Sequence, residues 1–504
     1  MASKEEKMNF SKSKYCGFIQ CPKIIWLQKY KPEEYFIDDY TKSRMEAGSV
    51  VGDLAMGIFG DYVDVTTYTN DKLDLKAMIN KTKELIQSNQ DIICEASFNV
   101  NGLYCAVDIL KKEKDGYAVY EVKSSTDYHH YEYIVDVAYQ KYVLEKCGLN
   151  IVSTNLVTIN SDYIFNGTLE LNKLFNINNV DDLVNQELKD VENNLKIAKQ
   201  ILENENEPNI DLSVKCNNPH PCAFWKYCSK HLPSPSVFDL YRTNFDKKVE
   251  YYKNNIISFQ DLKNTGYYLG NIQNMQIEHS TENLPDHIEV DGINKFLSTL
   301  TYPLYFLDFE TMQPVIPEIV GTRPYQQIPF QYSLHYIENE NGEIKHKEFL
   351  AESGTDPRRA IAESLCKDIP EDACVLAYNK GFECGRISEL ANTFPDLRNH
   401  LMNIHFNMKD LIEPFRCGYY YNKAMGGSFS IKSVLPALFP NDPELDYHNL
   451  EQVHNGGEAM SIFPRIKDMT KKEQEIARKN LLAYCKLDTL AMVKVWQKLI
   501  EVTK

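Results

Sequence analysis

The segment Ala106-Val-Asp108-Ile-Leu, a polar turn, and Tyr120-Glu121-Val-Lys123-Ser-Ser place two acids and a lysine on neighbouring extended runs. In a strand, positions i and i+2 share a face, so Glu121 and Lys123 point the same way. A hairpin partner brings Asp108 beside them. Two carboxylates so placed can hold a hard cation such as Mg²⁺. The lysine can then orient an attacking water and stabilise charge that develops at phosphorus. Glu95 sits on the run before, and Gln140 lies in Asp136-Val-Ala-Tyr-Gln140-Lys-Tyr142, which reads as a helix.

A second set of acids lies near the other end. Leu304-Tyr-Phe-Leu-Asp308-Phe-Glu310-Thr ends an apolar strand with two acids on one face. In Leu376-Ala-Tyr-Asn379-Lys-Gly-Phe382-Glu383 a strand stops and a helix begins with an acid near its first turn. In Tyr484-Cys-Lys-Leu-Asp488 the tyrosine and aspartate, four apart on a helix, share a face. A third constellation is Cys216-Asn-Asn-Pro-His-Pro-Cys222-Ala-Phe-Trp-Lys-Tyr-Cys228, with Cys16 or Cys21 available as a fourth thiol. Four thiolates suit zinc or an iron–sulfur cluster, and spacing leaves both open. His220 and His231 read as bystanders.

The chain has 504 residues, enough for several domains with real cores. It carries 43% hydrophobic and 25% charged residues, ordinary for a globular protein. No apolar run approaches the length of a membrane helix. Met1 to Tyr15 is polar, without a secretory h-region, so the cytoplasm is expected. The net charge of −16 disfavours phosphate binding unless metal ions and a local basic groove reverse the sign near the acids. The 13 cysteines are odd in number and mostly isolated, which argues for buried thiols rather than a disulfide framework.

Two α/β zones are expected, residues 1–232 and 301–504, joined by a helical connector over 233–300 that opens at Pro233-Ser-Pro235. In the first zone, strands are predicted at Asp91–Asn99, Leu103–Leu110 and Tyr117–Lys123, with Asp115-Gly116 as a hairpin signal. Helices are predicted at Tyr131–Lys146 and Val180–Asn204. A helical piece is predicted over Val237–Tyr252. In the second zone, strands are predicted at Leu304–Phe309 and Phe330–Ile337, with a return strand after Asn341-Gly342. Phe330, Tyr332, Leu334 and Tyr336 there share a face. A helix is predicted from Asp356-Pro357, a short strand at Cys374–Tyr378, and helices after Gly381 and across Lys471–Lys498.

The order of an acidic strand, Asp108, Glu121-x-Lys123 and a helix with Gln140 resembles the RecB-like branch of the PD-(D/E)xK nucleases. The resemblance implies Asp108 and Glu121 as metal ligands, Lys123 as catalytic and Gln140 as support. Many relatives carry a metal-binding His on an early helix; the matching stretch here, Gly48-Ser-Val-Val-Gly52-Asp53, has none, leaving Glu46, Asp53 or Glu95 as substitutes. RecB-like exonucleases of CRISPR adaptation and recombination also carry one early and three late cysteines. By that resemblance Cys21, in Gln20-Cys21-Pro-Lys, joins Cys216, Cys222 and Cys228 around a 4Fe–4S cluster, with zinc as the alternative.

The three C-terminal acid elements resemble the DnaQ-like DEDDy exonucleases of the ribonuclease H-like fold. Asp308, Glu310, Glu383 and Asp488 would hold two Mg²⁺ or Mn²⁺ ions, and Tyr484 would position water. Glu383 stands where the family usually has Asp. Gly426-Gly-Ser-Phe-Ser-Ile-Lys432 resembles a loop that would contact phosphates, and His454-Asn-Gly-Gly-Glu-Ala resembles a turn of the same family. The whole chain, except about 235–300, resembles a bacterial family that fuses these two nucleases. The resemblance implies a metal-dependent DNA exonuclease, 3′ to 5′ on single strands, in repair, spacer processing or phage defence. RNA is the alternative substrate, and a binding scaffold with decayed sites the alternative class.

Overall fold

The computed structural model describes residues 10–504, so the first nine residues of the polar opening lie outside the described residues. The chain forms two compact units. Unit 1 runs to His231 and also takes in Pro314–Gln326; unit 2 comprises Leu232–Gln313 and Gln327–Lys504. Both are α/β with mixed sheets. Among the described residues no helix is long and apolar enough to cross a membrane.

Unit 1 is built on strands β1 (Phe10–Ser11), β2 (Val63–Asp64), β3 (Ile92–Val100), β4 (Leu103–Glu113), β5 (Gly116–Lys123), β6 (Ile151–Ile159) and β7 (Phe175–Asn179). The sheet order is β2-β3-β4-β5-β6-β7, with β1 added in parallel to β4. β3, β4 and β5 form an antiparallel meander; β5 and β6 run parallel, crossed by helix α5 (Tyr131–Lys146). Helices α1 (Lys12–Gln20), α2 (Pro22–Tyr30), α3 (Asp39–Ala55), α4 (Leu75–Gln87) and α6 (Asp181–Glu203) complete the unit. Ten of the α5 residues are buried, including the polar Asp136, Gln140 and Lys141. A helix this buried against a sheet normally carries apolar residues alone, so its polar members need partners.

The β4–β5 turn differs from the Asp-Gly reading. Glu113 pairs with Gly116, so Lys114-Asp115 makes the turn and Gly116 already belongs to the strand. Its missing side chain serves a close approach: a Cβ there would lie 2.2 Å from the Asn150 carbonyl oxygen.

Unit 2 holds a five-stranded sheet of β8 (Leu304–Met312), β9 (Ile328–Ile337), β10 (Lys345–Leu350), β11 (Cys374–Ala377) and β12 (Met408–Asp410). Its order is β10-β9-β8-β11-β12, antiparallel through the first three and parallel through β8, β11 and β12. Helices α7 (Gly381–Thr393), α8 (Ile431–Leu438), α9 (Gly456–Ile462) and the 31-residue α10 (Lys471–Glu501) matter for the site. α10 begins with a capping box between Thr470 and Glu473. β9 is buried on both faces rather than one. The face opposite Tyr332 and Leu334 meets α10, where Gln331 donates to the Leu481 carbonyl and Ser333 bonds Thr489.

The predicted helix over Val237–Tyr252 is shorter. A 3₁₀ turn spans Val237–Asp239, and the α-helix starts only at Phe245, where Asn244 caps the Lys247 N–H. The stretch 233–300 packs within unit 2 rather than standing as a separate connector. Ile293 and Phe296 join the core that contains Phe306 and Trp496.

Candidate functional site

In unit 1 the meander brings Asp108 to Glu121 as the hairpin pattern required. The ladder ends at Ile109 opposite Tyr120, and the next bond is made by a side chain: Val122 N–H donates to Asp108 Oδ2 at 2.7 Å. Glu121, 2% exposed, accepts from Lys123 Nζ at 2.7 Å and from Gln140 Nε2 at 2.7 Å. Gln140 also reaches Asp136 Oδ1 at 3.0 Å, and Lys123 reaches Asp136 Oδ2 at 2.6 Å. The four sequence-derived residues therefore converge, with Asp136 added from the same turn of α5.

A second lysine enters from the N-terminal side. Lys12 Nζ lies 3.0 and 3.3 Å from the two Glu121 oxygens and 3.8 Å from Asp108 Oδ1. Nothing in the sequence around Lys12 marks it for this role. Glu95 approaches from β3 with φ +53°, a strained value for glutamate inside a strand. It lies between the pairs Cys94–Ile109 and Ala96–Val107, level with Asp108. Of Glu46, Asp53 and Glu95, Glu95 is the one drawn into the cluster; Glu46 and Asp53 are exposed.

The electrostatics follow from burial. Glu121 is pushed up to about 7 by burial and by the neighbouring Asp108 and Asp136, against the pull of both lysines. Burial also raises Asp108. Burial works on Asp136 in the same direction, but Lys123 and Lys12 outweigh it and hold that carboxyl below its ordinary value. Gln140 Oε1 is buried with no hydrogen-bond partner. The carboxylates of Asp108 and Glu121 and the ammonium groups of Lys12 and Lys123 thus meet in one cluster.

Cys21, Cys216, Cys222 and Cys228 line one small cavity, together with Lys23, Phe224 and Trp225. All four are free thiols. Cys16 packs instead against the main core of unit 1, in keeping with the choice of Cys21. Cys222 and Cys228 are each pushed up to about 11, first by burial. The four thiols share this cavity, but no three of their sulfur atoms lie within 4.8 Å of one another.

In unit 2, Asp308 and Glu310 leave β8 on one face, with a register shift after Glu310. The chain turns from β11 into α7 at Asn379, whose φ of +67° asparagine tolerates better than most residues. That turn delivers Glu383, 3% exposed, with Oε2 lacking any hydrogen-bond partner. α10 supplies Tyr484, Cys485 and Asp488. Burial, then Asp488, Glu310 and Glu383, drive Asp308 well above its ordinary range. Burial and Asp410 push Glu383 up to about 8. Asp488 is pushed up to about 6 by burial, moderated by hydrogen bonds from Tyr447 and Tyr484.

Two neighbours of this cluster, Tyr447 and Asp410, were given no part in it by the sequence. Tyr447 donates to Asp488 Oδ1 at 2.5 Å. Lys432 lies 5.3 Å from the Tyr447 ring and 5.4 Å from the Tyr484 ring, and donates to the His454 carbonyl at 3.3 Å. The glycine loop thus delivers its lysine to the acids. Asp410, at the end of β12, accepts from Asn379 N–H at 2.8 Å and faces Arg416. The His454–Glu458 turn also borders the site: a Cβ on Gly456 would lie 3.6 Å from Glu310 Oε2.

A family model described as a domain of unknown function, DUF2779, matches residues 305–430. The matched stretch covers Asp308, Glu310 and Glu383 and stops before Tyr447, Tyr484 and Asp488. No curated protein matches the chain.

Proposed function

We propose that the protein is a metal-dependent nuclease with two hydrolytic sites. On this reading unit 1 is a PD-(D/E)xK domain of the RecB-like branch, and unit 2 is a ribonuclease H-like domain of the DnaQ type, acting 3′ to 5′ on DNA. The observation that carries it is the convergence in unit 2 of four carboxylates from three separate elements, with a buried, unpartnered Glu383 oxygen among them. So many buried acids facing few cations are stable only when protonated or when they share a bound cation.

Asp308, Glu310, Glu383 and Asp488 would hold Mg²⁺ or Mn²⁺ there. A bound divalent ion supplies an activated water and offsets phosphate charge. Tyr484 would position the attacking water through its phenol. Lys432, whose charge acts on Asp308, would neutralise charge on a scissile phosphate. In unit 1, Asp108 and Glu121 serve as ligands. Lys123, fixed by Asp136, holds a water for attack, and Gln140 fixes the Glu121 carboxylate. Cys21, Cys216, Cys222 and Cys228 would hold a 4Fe–4S cluster, or zinc, tying the start of the unit to its end.

The test uses end-labelled single- and double-stranded DNA and RNA with Mg²⁺, Mn²⁺ or EDTA. Metal-dependent cleavage is expected. Asp308→Ala should abolish 3′-end trimming, and Lys123→Ala should abolish a separate activity. Absence of cleavage on every substrate would sink the proposal.

A further inference from the structure

Cys485 is fully buried and stands on α10 one residue after Tyr484 and three before Asp488. Its Sγ lies 3.9 Å from Asp308 Oδ2 and 3.8 Å from the Asp308 carbonyl oxygen. One ligand atom each from Asp308, Glu310 and Cys485 all lie within 4.8 Å of one another. Residues three apart on a helix are neighbours, so Asp488 and Cys485 look onto the same space. Asp488 Oδ1 also accepts from the Tyr447 phenol at 2.5 Å. Next to Asp308 and Glu310, the Cys485 sulfur is a third donor, within 4.8 Å of an oxygen of each. The buried Glu383 Oε2, without a hydrogen-bond partner, is an independent sign that this space is made for a ligand; the Glu383 charge acts on both Asp308 and Glu310.

We propose that Cys485 is a metal ligand, and that the position between Asp308 and Glu310 selects a transition-metal dication of the cobalt or zinc class over Mg²⁺. The inference rests on unit 2 being a metal site. Sulfur discriminates between the two classes. Mg²⁺ takes oxygen donors and binds thiolate poorly, whereas later first-row ions accept mixed oxygen–sulfur sets. Binding exchanges the thiol proton for the metal, and the proton passes to solvent. Asp308 and Glu310 contribute two negative charges and the thiolate a third. A dication with this set keeps room for a water or a phosphate oxygen.

The experiment is a Co²⁺ titration of the full chain, followed by near-ultraviolet absorption, for the wild type, Cys485→Ser and Asp308→Ala. The four cysteines of unit 1 are common to all three proteins and cancel in difference spectra. The expected result is a sulfur-to-cobalt charge-transfer band in the wild-type minus Cys485→Ser difference, also lost in Asp308→Ala. Co²⁺ affinity should fall about 10-fold or more in Cys485→Ser, with Mg²⁺ affinity unchanged. Cys485→Ala, whose unfolding midpoint is compared with that of the serine variant, separates lost ligation from lost packing. Equal Co²⁺ binding in wild type and Cys485→Ser, with no difference band, overturns the role of sulfur and leaves the nuclease reading standing. Equal binding of every ion in Asp308→Ala and wild type overturns both.

Discussion

Lys12 and Glu121, 109 positions apart in sequence, meet through 3.0 and 3.3 Å contacts from one ammonium to both carboxylate oxygens. The ammonium occupies the ground between Glu121 and Asp108 where a cation would be needed. Removing it leaves Glu121 facing Asp108 and Asp136 with Lys123 as its remaining close countercharge.

Lys12→Met is therefore expected to destabilise metal-free unit 1 by about 1–3 kcal/mol, the usual cost of removing one partner of a buried hydrogen bond. Mg²⁺ should restore more stability to the variant than to the wild type, because the ion takes over the missing countercharge. Urea unfolding in EDTA and in Mg²⁺ measures both. Identical curves for the two proteins in EDTA would refute the bridging role.

Metal affinity in unit 2 should depend on pH. Glu383 is raised to about 8 and Asp488 to about 6, so protons hold these ligands in the metal-free state and must leave when a cation binds. The sign follows: affinity for Mn²⁺ weakens as pH drops from about 8 to about 6. Titrations across that window, with Asp308→Ala as the blank, test it. A pH-independent affinity would contradict the assignment of these two ligands.

Acid stability should carry the mark of a histidine pair. His335 and His346, their rings 4.5 Å apart, are held to about 3 and about 4 by burial first, against an ordinary 6.5. Both bond into the Ser333–Thr489 hydroxyl network. The unfolded chain takes up these protons below about 6.5 while the folded one refuses them, so stability falls as pH drops from there toward 4. His346→Gln should flatten that limb in thermal unfolding. An unchanged slope would show the pair is not its source.

The thiol cavity of unit 1 makes a sharp distinction between cysteines. Cys228→Ser should lose bound iron or zinc and lower the unfolding midpoint of unit 1. Cys16→Ser should keep the metal, because Cys16 faces the apolar core. Metal analysis of the two purified variants decides this. Full metal content in Cys228→Ser would remove that residue from the ligand set.

Local periodicity explains which of these groups were legible in the sequence. Glu121 and Lys123, or Asp308 and Glu310, are separated by one residue in a strand, and Tyr484 and Asp488 by one helical turn, so their common faces follow from geometry alone. Lys12, Asp410 and Tyr447 obey no such rule. Lys12 arrives because β1 adds to β4, Asp410 because β12 lies beside β11, and Tyr447 from a turn far from its partner in sequence. Gly116 misled for a related reason. A glycine after aspartate reads as a turn, whereas here the close approach of Asn150, just before the next strand, demands it. The double burial of β9 was likewise invisible until α10 was laid across it.

Unit 1 is not finished when its last sheet strand and helix have been made. Val315, Ile316 and Tyr325 pack against the cluster that holds Val157, Ile159 and Phe175, and Phe165 exchanges backbone hydrogen bonds with Gly321 and Thr322. On the ribosome, which releases a chain from its N-terminus and lets domains fold as they emerge, that side of unit 1 must wait through 82 further residues, from Leu232 to Gln313, that belong to the other unit. The two units are sequential in most of their length but interleaved in time. A stall or a cut before Gln326 would leave the first one with part of its apolar surface still wet.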